Sequence, residues 1–220
     1  MVITLNKTSP EIQYLCSKDK HIAKVIDMVG EISYTTHNDG YAFLVHEIIE
    51  QMLSIKAGNK IYGRLLDLCG GNITPVQICS LTDEQIKSIG TSNAKVKYIK
   101  SISSAVISKS IVLSELDNDS DEVVYKKLTS LQGVGNWTAN MYLMFVLNRQ
   151  DILPYDDAAF LQSYCWLYNT KDKSKDSIIK KCKKWKPFSS IASRYLYRAL
   201  DTGLTKVPFK LSVTGGINYE

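Results

Sequence analysis

The sequence predicts an all-α protein built from many short helices, because helix start and stop signals recur while strand patterns do not. Ser9-Pro10 is typical of an N-cap followed by the first helical residue. Residues 82–85 form a capping box, which marks another helix start. Apolar residues at helical spacing begin at Ile22, and Gly30 ends that run. The β-branched run at 111–113 is too short for a sheet.

The remaining elements follow the same logic, since each has an apolar face at helical spacing and a cap or glycine at one end. They are the helix after Asp39-Gly40, the helix before Gly70-Gly71, the short helix from Thr74-Pro75, the helix over 92–108, and the helix that Asp119 and Glu122 cap and that runs to Leu131. The residues before Gly40 are predicted to be helical as well.

Composition is that of a globular protein: of 220 residues, 45% are hydrophobic and 22% charged. This length fits one domain or two closely packed subdomains. No apolar run reaches the roughly 18 residues of a membrane helix, and no signal-peptide pattern is present. We therefore expect no membrane partner and a cytoplasmic location, nucleoid-associated if the source is bacterial. The net charge of +5 permits nucleic-acid binding.

Two compositional features leave alternatives open. The five cysteines contain no C-x-x-C pair, so disulfides and zinc are poorly supported, and we expect most of them to be buried thiols. Lysines concentrate in residues 171–186. That stretch is either a phosphate-facing patch or a solvated helix face.

Residues 131–139, LQGVGNWTA, join two predicted helices. Gly133 and Gly135 permit a tight turn and leave backbone N–H groups open to an anion. With Asn136 and Thr138, at the start of the next helix, they form a candidate site for a DNA phosphate, and such a contact is blind to base sequence. An ordinary glycine-containing connection between helices is the alternative.

This string resembles the hairpin of the helix-hairpin-helix base-excision DNA glycosylase superfamily, and within it the DNA-3-methyladenine glycosylase II branch. Three further stretches are similar to motifs of that branch: residues 48–57, 89–95 and 185–192. The similarity extends roughly over 39–203. The resemblance implies two helical subdomains flanking a DNA-binding cleft, without the N-terminal mixed α/β domain that some relatives carry.

The implied subdomains are a central one over 38–148, with the hairpin at 131–137, and a second that combines 1–37 with 149–220. The implied partner is double-stranded DNA with the damaged base flipped out of the stack. We expect the protein to act as a monomer.

An aspartate follows the hairpin by one helix. The resemblance maps the family's essential carboxylate onto Asp157, where it would stabilise the oxocarbenium-like transition state and orient a water. Its neighbour Asp156 is interpreted as a helix cap or a supporting group. From position alone, an Asp here is as often only an N-cap.

The residue two positions after the second hairpin glycine separates two chemistries in the superfamily. Glycosylases that also nick the strand carry a lysine there, which forms a Schiff base, whereas this chain has Trp137. The resemblance therefore implies a monofunctional enzyme. It also assigns Trp137, Tyr197 and Met141 to the base pocket, where Trp137 would attract a cationic purine. Core packing is the alternative for both aromatic residues.

A flipped base leaves a gap that a wedge side chain fills. The resemblance assigns the wedge to Met52 and a contact with the orphaned base to Gln51. The alternative for Met52 is a place in the core.

The resemblance implies no iron–sulfur cluster, since Cys182 stands alone. It allows a Na⁺ or K⁺ ion held by the backbone carbonyls of Thr129, Leu131 and Val134. The chain departs from the family pattern in having Met141, Ala158 and Ser189 where some relatives have two aromatic residues and an arginine. The pocket is therefore expected to be roomier, and Ser189 is expected to lack the backbone or structural interaction of that arginine.

Together these features predict hydrolysis of the N-glycosidic bond of alkylated purines, 3-methyladenine and 7-methylguanine, in duplex DNA during base excision repair. Two alternatives remain open: a glycosylase for another lesion, such as a deaminated or oxidised base, and a non-catalytic helix-hairpin-helix DNA-binding module.

Overall fold

The computed structural model describes residues 2–211, and these are mostly helical, as predicted. Twelve α-helices lie within the described range. They are α1 Pro10–Lys18, α2 Lys20–Val29, α3 Gly40–Glu50, α4 Ile55–Leu68, α5 Pro75–Ser80, α6 Asp83–Ser88, α7 Asn93–Ile107, α8 Asp121–Thr129, α9 Asn136–Phe145, α10 Ala158–Tyr168, α11 Lys175–Cys182 and α12 Ser189–Asp201. None of the helices in this range is both long and apolar enough to span a bilayer.

The chain divides into two compact units. The first combines the N-terminal segment through Thr35 with the chain from Gln150 onward, and the second comprises Thr36–Arg149. Each unit is described separately below.

The prediction of helices alone before Gly40 was wrong. Strand β1, Val2–Leu5, pairs with strand β2, Ile32–Thr35, in an antiparallel ladder that runs from Val2 opposite Thr35 to Leu5 opposite Ile32. Each strand has four residues, which is too few for alternation to be recognised in sequence. The pairing depends on a partner that lies beyond two intervening helices, so a local pattern could not indicate it.

The core of the first unit contains Trp185, Tyr164, Tyr195 and Phe160, all fully buried. A buried carboxylate lies at its edge, because Asp19 is only 2% exposed at the start of α2. The Asp19 side chain accepts hydrogen bonds from the His21 backbone N–H at 3.0 Å and the Trp185 indole N–H at 2.9 Å. The Tyr168 hydroxyl also donates to it, and the Lys184 ammonium lies 3.1 Å away. Four groups therefore compensate the negative charge of Asp19.

In the second unit, the capping box predicted at 82–85 is confirmed, and a second one holds the start of α5. The predicted bounds of the helix before the hairpin were wrong. Ser120, not Asp119, is the N-cap of α8, and the helix ends at Thr129 rather than Leu131. Serine and aspartate cap equally well, so composition alone does not choose between adjacent candidates.

The cysteines also differ from the prediction. Cys69 and Cys182 are buried, Cys16 and Cys165 are half-buried, and Cys79 is exposed. All five are free thiols, and most are therefore not the fully buried apolar groups that were expected.

Candidate functional site

The hairpin in the second unit brings two glycines into different environments. Gly133 has φ +88°, and a Cβ added there would lie 2.4 Å from the Tyr98 ring. Only glycine fits, both for backbone conformation and for space. Gly135 is exposed, and an added Cβ would meet nothing within 4 Å. The turn is thus packed on one side at Gly133 and open on the other at Gly135.

Helix α9 starts at this open side. Gly135 is its N-cap and provides no side-chain cap, and Asn136 is exposed. The first intrahelical bond of α9 runs from the Ala139 N–H to the Gly135 carbonyl. The backbone N–H groups of the first turn point out of the helix, where the helix dipole favours an anion. The side chain of Thr138 is buried, so the predicted contact of this residue with an anion is left to its backbone N–H and stays a prediction.

The segment assigned to the wedge lies at the end of α3. Glu50 to Leu53 form a turn, closed by the Leu53 N–H donating to the Glu50 carbonyl at 2.9 Å. Met52 stands in this turn with φ +59°, a conformation that costs a non-glycine residue about 1–2 kcal/mol. Its side chain is fully exposed. Met52 is therefore not a core residue, and this alternative is excluded.

Gln51 is engaged within the protein. Its side-chain amide donates to the carbonyl of Gly133 at 2.9 Å. The contact with an orphaned base, as the resemblance implies, stays a prediction. What sequence reasoning missed is the partner: the wedge segment and the hairpin touch through this side chain.

Lys95 is a residue that sequence reasoning did not single out as functional. From α7 its ammonium donates to the carbonyls of Ile49 at 2.8 Å and Gln51 at 2.7 Å. Burial lowers the pKa of Lys95. A signal existed, since Lys95 belongs to the 89–95 motif, but the carbonyls that it binds lie 44 and 46 residues away.

Asp157 belongs to the first unit and is only 8% exposed. It is the N-cap of α10, and its carboxylate accepts from the Phe160 backbone N–H at 2.7 Å. The interpretation of Asp156 as the cap was wrong, because Asp156 is exposed and Asp157 takes that position. A cap uses only part of the acceptor capacity of a carboxylate. The N-cap role and a catalytic role are compatible.

Tyr197, on α12, contacts Asp157 in the same unit. Burial raises the pKa of Tyr197 well above its usual value, and the negative charge of Asp157 acts in the same direction. Arg194 lies one turn earlier on α12 and is 8% exposed, with its guanidinium 3.9 Å from the centre of the Tyr34 ring. The Asp157 carboxylate thus interacts with a neutral hydroxyl, and the positive charge of Arg194 partly offsets the rise in the pKa of Tyr197.

The approach to Asp157 is held by the two serines of the 185–192 motif. The Ser189 hydroxyl donates to the Asp151 carboxylate at 2.6 Å, and Lys186 forms an ion pair with the same carboxylate at 2.9 Å. The Ser190 hydroxyl accepts from the Ile152 N–H at 2.9 Å, and the Ser190 N–H donates to the Gln150 carbonyl at 2.9 Å. Ser189 therefore makes a hydrogen bond of its own at the position where the resemblance implied an arginine.

The remaining residues assigned to the pocket lie on α9 in the second unit. Trp137 is half-buried and Met141 is buried, with 5% of its surface exposed. Their roles against a base stay predictions.

The lysine-rich stretch at 171–186 makes several contacts within its own unit. Lys181 lies 4.5 Å from the centre of the Tyr168 ring, and Lys175 lies 4.5 Å from the centre of the Tyr155 ring. These contacts favour a structural role for part of the stretch.

Two groups could hold a cation. Among residues 2–211, no backbone N–H donates to the carbonyls of Thr129 or Val134, whereas the Leu131 carbonyl accepts from the Val134 N–H at 3.1 Å. Two of the three predicted carbonyls thus accept no backbone hydrogen bond within the described residues, and the monovalent ion stays a prediction. Donor atoms of His46, Glu47 and Glu50 lie within 4.8 Å of one another in the second unit. The His46 ring nitrogen Nε2 already pairs with the Asn59 amide oxygen at 3.1 Å, and we assign no metal there.

Comparisons with known proteins agree on one family. The model of the HhH-GPD superfamily of base excision DNA repair proteins matches residues 45–188. DNA-3-methyladenine glycosylase 1 of Schizosaccharomyces pombe is 29% identical over 202 residues, which cover 90% of this chain and 89% of that protein.

Solved structures of DNA-3-methyladenine glycosylases are also similar to this chain. A DNA-3-methyladenine glycosidase from Bacillus halodurans superposes with a TM-score of 0.83 at 32% identity, covering 94% of this chain and 96% of its own. The 3-methyladenine DNA glycosylase Mag1 of Schizosaccharomyces pombe, in complex with abasic DNA, superposes with a TM-score of 0.79 at 29% identity, covering 88% and 97%.

Proposed function

The chain belongs to the HhH-GPD superfamily of base excision DNA repair proteins, and we propose that it is a monofunctional DNA-3-methyladenine glycosylase. It hydrolyses the N-glycosidic bond of alkylated purines, such as 3-methyladenine and 7-methylguanine, in duplex DNA. The observation that carries this proposal is the buried, hydrogen-bonded carboxylate of Asp157. Similarity to DNA-3-methyladenine glycosylases over most of the chain supports the substrate class.

DNA binding depends on the open side of the hairpin. The exposed N-terminus of α9, at Gly135 and Asn136, offers backbone N–H groups to one phosphate. A relative of this fold was solved with abasic DNA, which is the product of base removal. Because such contacts carry no sequence information, the protein selects a lesion through the flipped base alone.

The reaction follows from the charge that develops. As the bond between C1′ and the base nitrogen breaks, the base leaves with the electron pair and the deoxyribose becomes an oxocarbenium-like cation. The Asp157 carboxylate stabilises this cation electrostatically and accepts a hydrogen bond from the attacking water. The water oxygen bonds to C1′, one of its two protons is released to bulk water, and the other stays in the new hydroxyl group of the abasic sugar. N3- and N7-alkylated purines already carry positive charge, so they need little acid assistance to leave.

Trp137 fixes the type of chemistry. An indole cannot form a Schiff base with the sugar, so water is the acceptor and the strand is not nicked. The half-buried ring offers an electron-rich face to a cationic purine, a contact worth about 0.5–2 kcal/mol.

Met52 supplies the wedge. A fully exposed apolar side chain on a strained turn contributes no packing to the core of the protein. Backbone strain of this kind clusters at functional positions. Inserted between base steps, it fills the space that the flipped nucleotide leaves.

The test is a base-release assay on methylated duplex DNA, with duplexes carrying a deaminated or an oxidised base in parallel. We expect free 3-methyladenine and 7-methylguanine from the first substrate and little release from the others. Release from a deaminated or oxidised duplex alone would establish the other glycosylase specificity. DNA binding without release from any substrate would establish a non-catalytic module.

A further inference from the structure

Two segments of the second unit meet on one face of helix α7. Helix α7 presents Lys95 and Tyr98, which are three residues apart and therefore on the same face. Lys95 contacts the end of α3, and Tyr98 packs against Gly133 in the hairpin. The helix acts as a platform for the turn of Met52 on one side and for the hairpin on the other.

The Lys95 contact satisfies a specific need of α3. The last carbonyls of a helix lack intrahelical donors, and a cation there also interacts favourably with the helix dipole. The last turn of α3 contains no basic residue of its own. Lys95 supplies the charge from another element and bonds the carbonyls of Ile49 and Gln51, on either side of Glu50 where the turn begins.

Gln51 completes the connection. Its backbone carbonyl is held by Lys95, while its side-chain amide holds the carbonyl of Gly133. The residue immediately before Met52 is therefore fixed at both ends, to the platform and to the hairpin. A turn with an unfavourable backbone conformation at Met52 persists only if its surroundings hold it there.

We propose that Lys95 and Gln51 are positioning residues for duplex opening, which set the exposed Met52 side chain at a fixed place relative to the phosphate-binding hairpin. This inference rests on the proposed role of Met52 as the wedge. Neither residue touches the reacting atoms. Their effect is confined to substrates whose base must be pushed out of a double helix.

Single-stranded DNA separates this role from general stability, because a base in a single strand needs no wedge. The substrates are one 7-methylguanine oligonucleotide, single-stranded or annealed. Lys95→Met keeps the aliphatic stem and removes the donors, whereas Lys95→Arg keeps a cation that can bond both carbonyls. Lys97→Met, at an exposed position of the same helix, is the matched control.

We expect Lys95→Met to slow excision from the duplex by about tenfold or more, the effect of removing one or two charge-assisted hydrogen bonds, with the single-stranded rate nearly unchanged. Lys95→Arg restores most of the duplex rate, and Lys97→Met behaves as wild type. Adding Lys95→Met to Met52→Ala causes no further loss, because both changes remove the same step. An equal loss on both substrates, or an additive loss in the double variant, would overturn the proposal.

A second variant and a second readout keep the test independent of folding and of catalysis. Gln51→Leu removes only the bond to Gly133, and its loss on duplex DNA should not depend on the base opposite the lesion. A loss that changes with that base would assign Gln51 to base contact instead.

Fluorescence of 2-aminopurine opposite an abasic-site analogue reports unstacking without base release. We expect wild-type protein to raise this fluorescence and Lys95→Met to abolish most of the rise. If wild type raises it but releases no base, the glycosylase proposal fails while the positioning proposal stands.

Discussion

The hydroxyl of Tyr197 lies in the electrostatic field of the Asp157 carboxylate, and burial together with this negative charge keeps the pKa of the tyrosine well above its usual value. The hydroxyl therefore stays protonated throughout the neutral and alkaline range in which the enzyme would be assayed. The Asp157 carboxylate accepts a hydrogen bond from the Phe160 N–H at 2.7 Å on α10, while the Tyr197 hydroxyl interacts with it from α12.

Replacing Tyr197 with phenylalanine tests what this tyrosine contributes. Phenylalanine keeps the aromatic face and removes the donor. A hydrogen bond to a charged group is worth about 1.5–3 kcal/mol, so we expect kcat to fall by about tenfold or more while DNA affinity stays close to that of wild type. Single-turnover kinetics at saturating protein measure this directly. A Tyr197→Phe variant with full turnover would restrict Tyr197 to packing or base stacking.

The two hairpin glycines give a matched pair of substitutions. Gly133→Ala forces a Cβ into the Tyr98 ring at a positive φ, and we expect a loss of about 2 kcal/mol or more in the free energy of unfolding. Gly135→Ala meets open space at an ordinary φ and should leave stability unchanged.

DNA affinity, measured by fluorescence anisotropy at fixed salt, completes this comparison. Gly135→Ala should weaken binding, because its methyl group stands where a phosphate approaches the N-terminus of α9. Unchanged affinity in a stably folded Gly135→Ala protein would contradict the phosphate site.

Acid stability should depend on Asp19. Burial alone would raise the pKa of its carboxyl, but hydrogen bonds from Tyr168, Trp185, the His21 backbone and Lys184 outweigh it and lower the pKa overall. A lowered pKa in the folded state stabilises the protein above about pH 4, the usual value for an aspartate, and this contribution is lost as pH falls through the folded value.

Asp19→Asn should therefore be less stable than wild type by about 2 kcal/mol or more at pH 7, with the difference shrinking below pH 4. Chemical denaturation at several pH values checks the sign. Asp27→Asn is the control, since its pair with Lys7 is exposed. A difference that grows with acidity would contradict this account.

The tryptophan at position 137 predicts a negative result. With an indole in place of the lysine nucleophile, borohydride should trap no covalent complex between the protein and damaged DNA. Trp137→Lys places an amine at that position and serves as the contrasting variant. A trapped adduct with the wild-type protein would show that another amine acts as nucleophile.

Local signals predicted most of the fold, because helix caps and helical spacing are encoded within a few residues, as at Thr82 and Gln85. The two strands escaped prediction because each gains its hydrogen bonds from the other, some 30 residues away along the chain. The choice of Ser120 over Asp119 as a cap depends on the register of α8, which packing sets.

Some residues of the candidate site could likewise be assigned from the sequence, and others could not. Residues within recognisable strings, Gly133, Trp137 and Asp157, could be assigned from the sequence. The residues that support the hairpin, the turn of Met52 and the segment before Asp157 could not be assigned. They are Tyr98, Lys95 and Ser190, and their contacts are with backbone atoms, which leave no residue-type signature at the other end. The sequence could not distinguish Met52 from a core methionine. Its backbone conformation and its exposure in the structure make that distinction.

The central claim is that the Asp157 carboxylate performs hydrolysis while its N-cap role is incidental, and Asp157→Asn tests it most directly. Asparagine caps a helix as well as aspartate does, so we expect the variant to keep its stability to within about 1 kcal/mol and to bind DNA normally. Base release from methylated duplex DNA should be abolished, while Asp156→Asn releases bases as wild type does. Undiminished release by a folded Asp157→Asn protein would contradict the account.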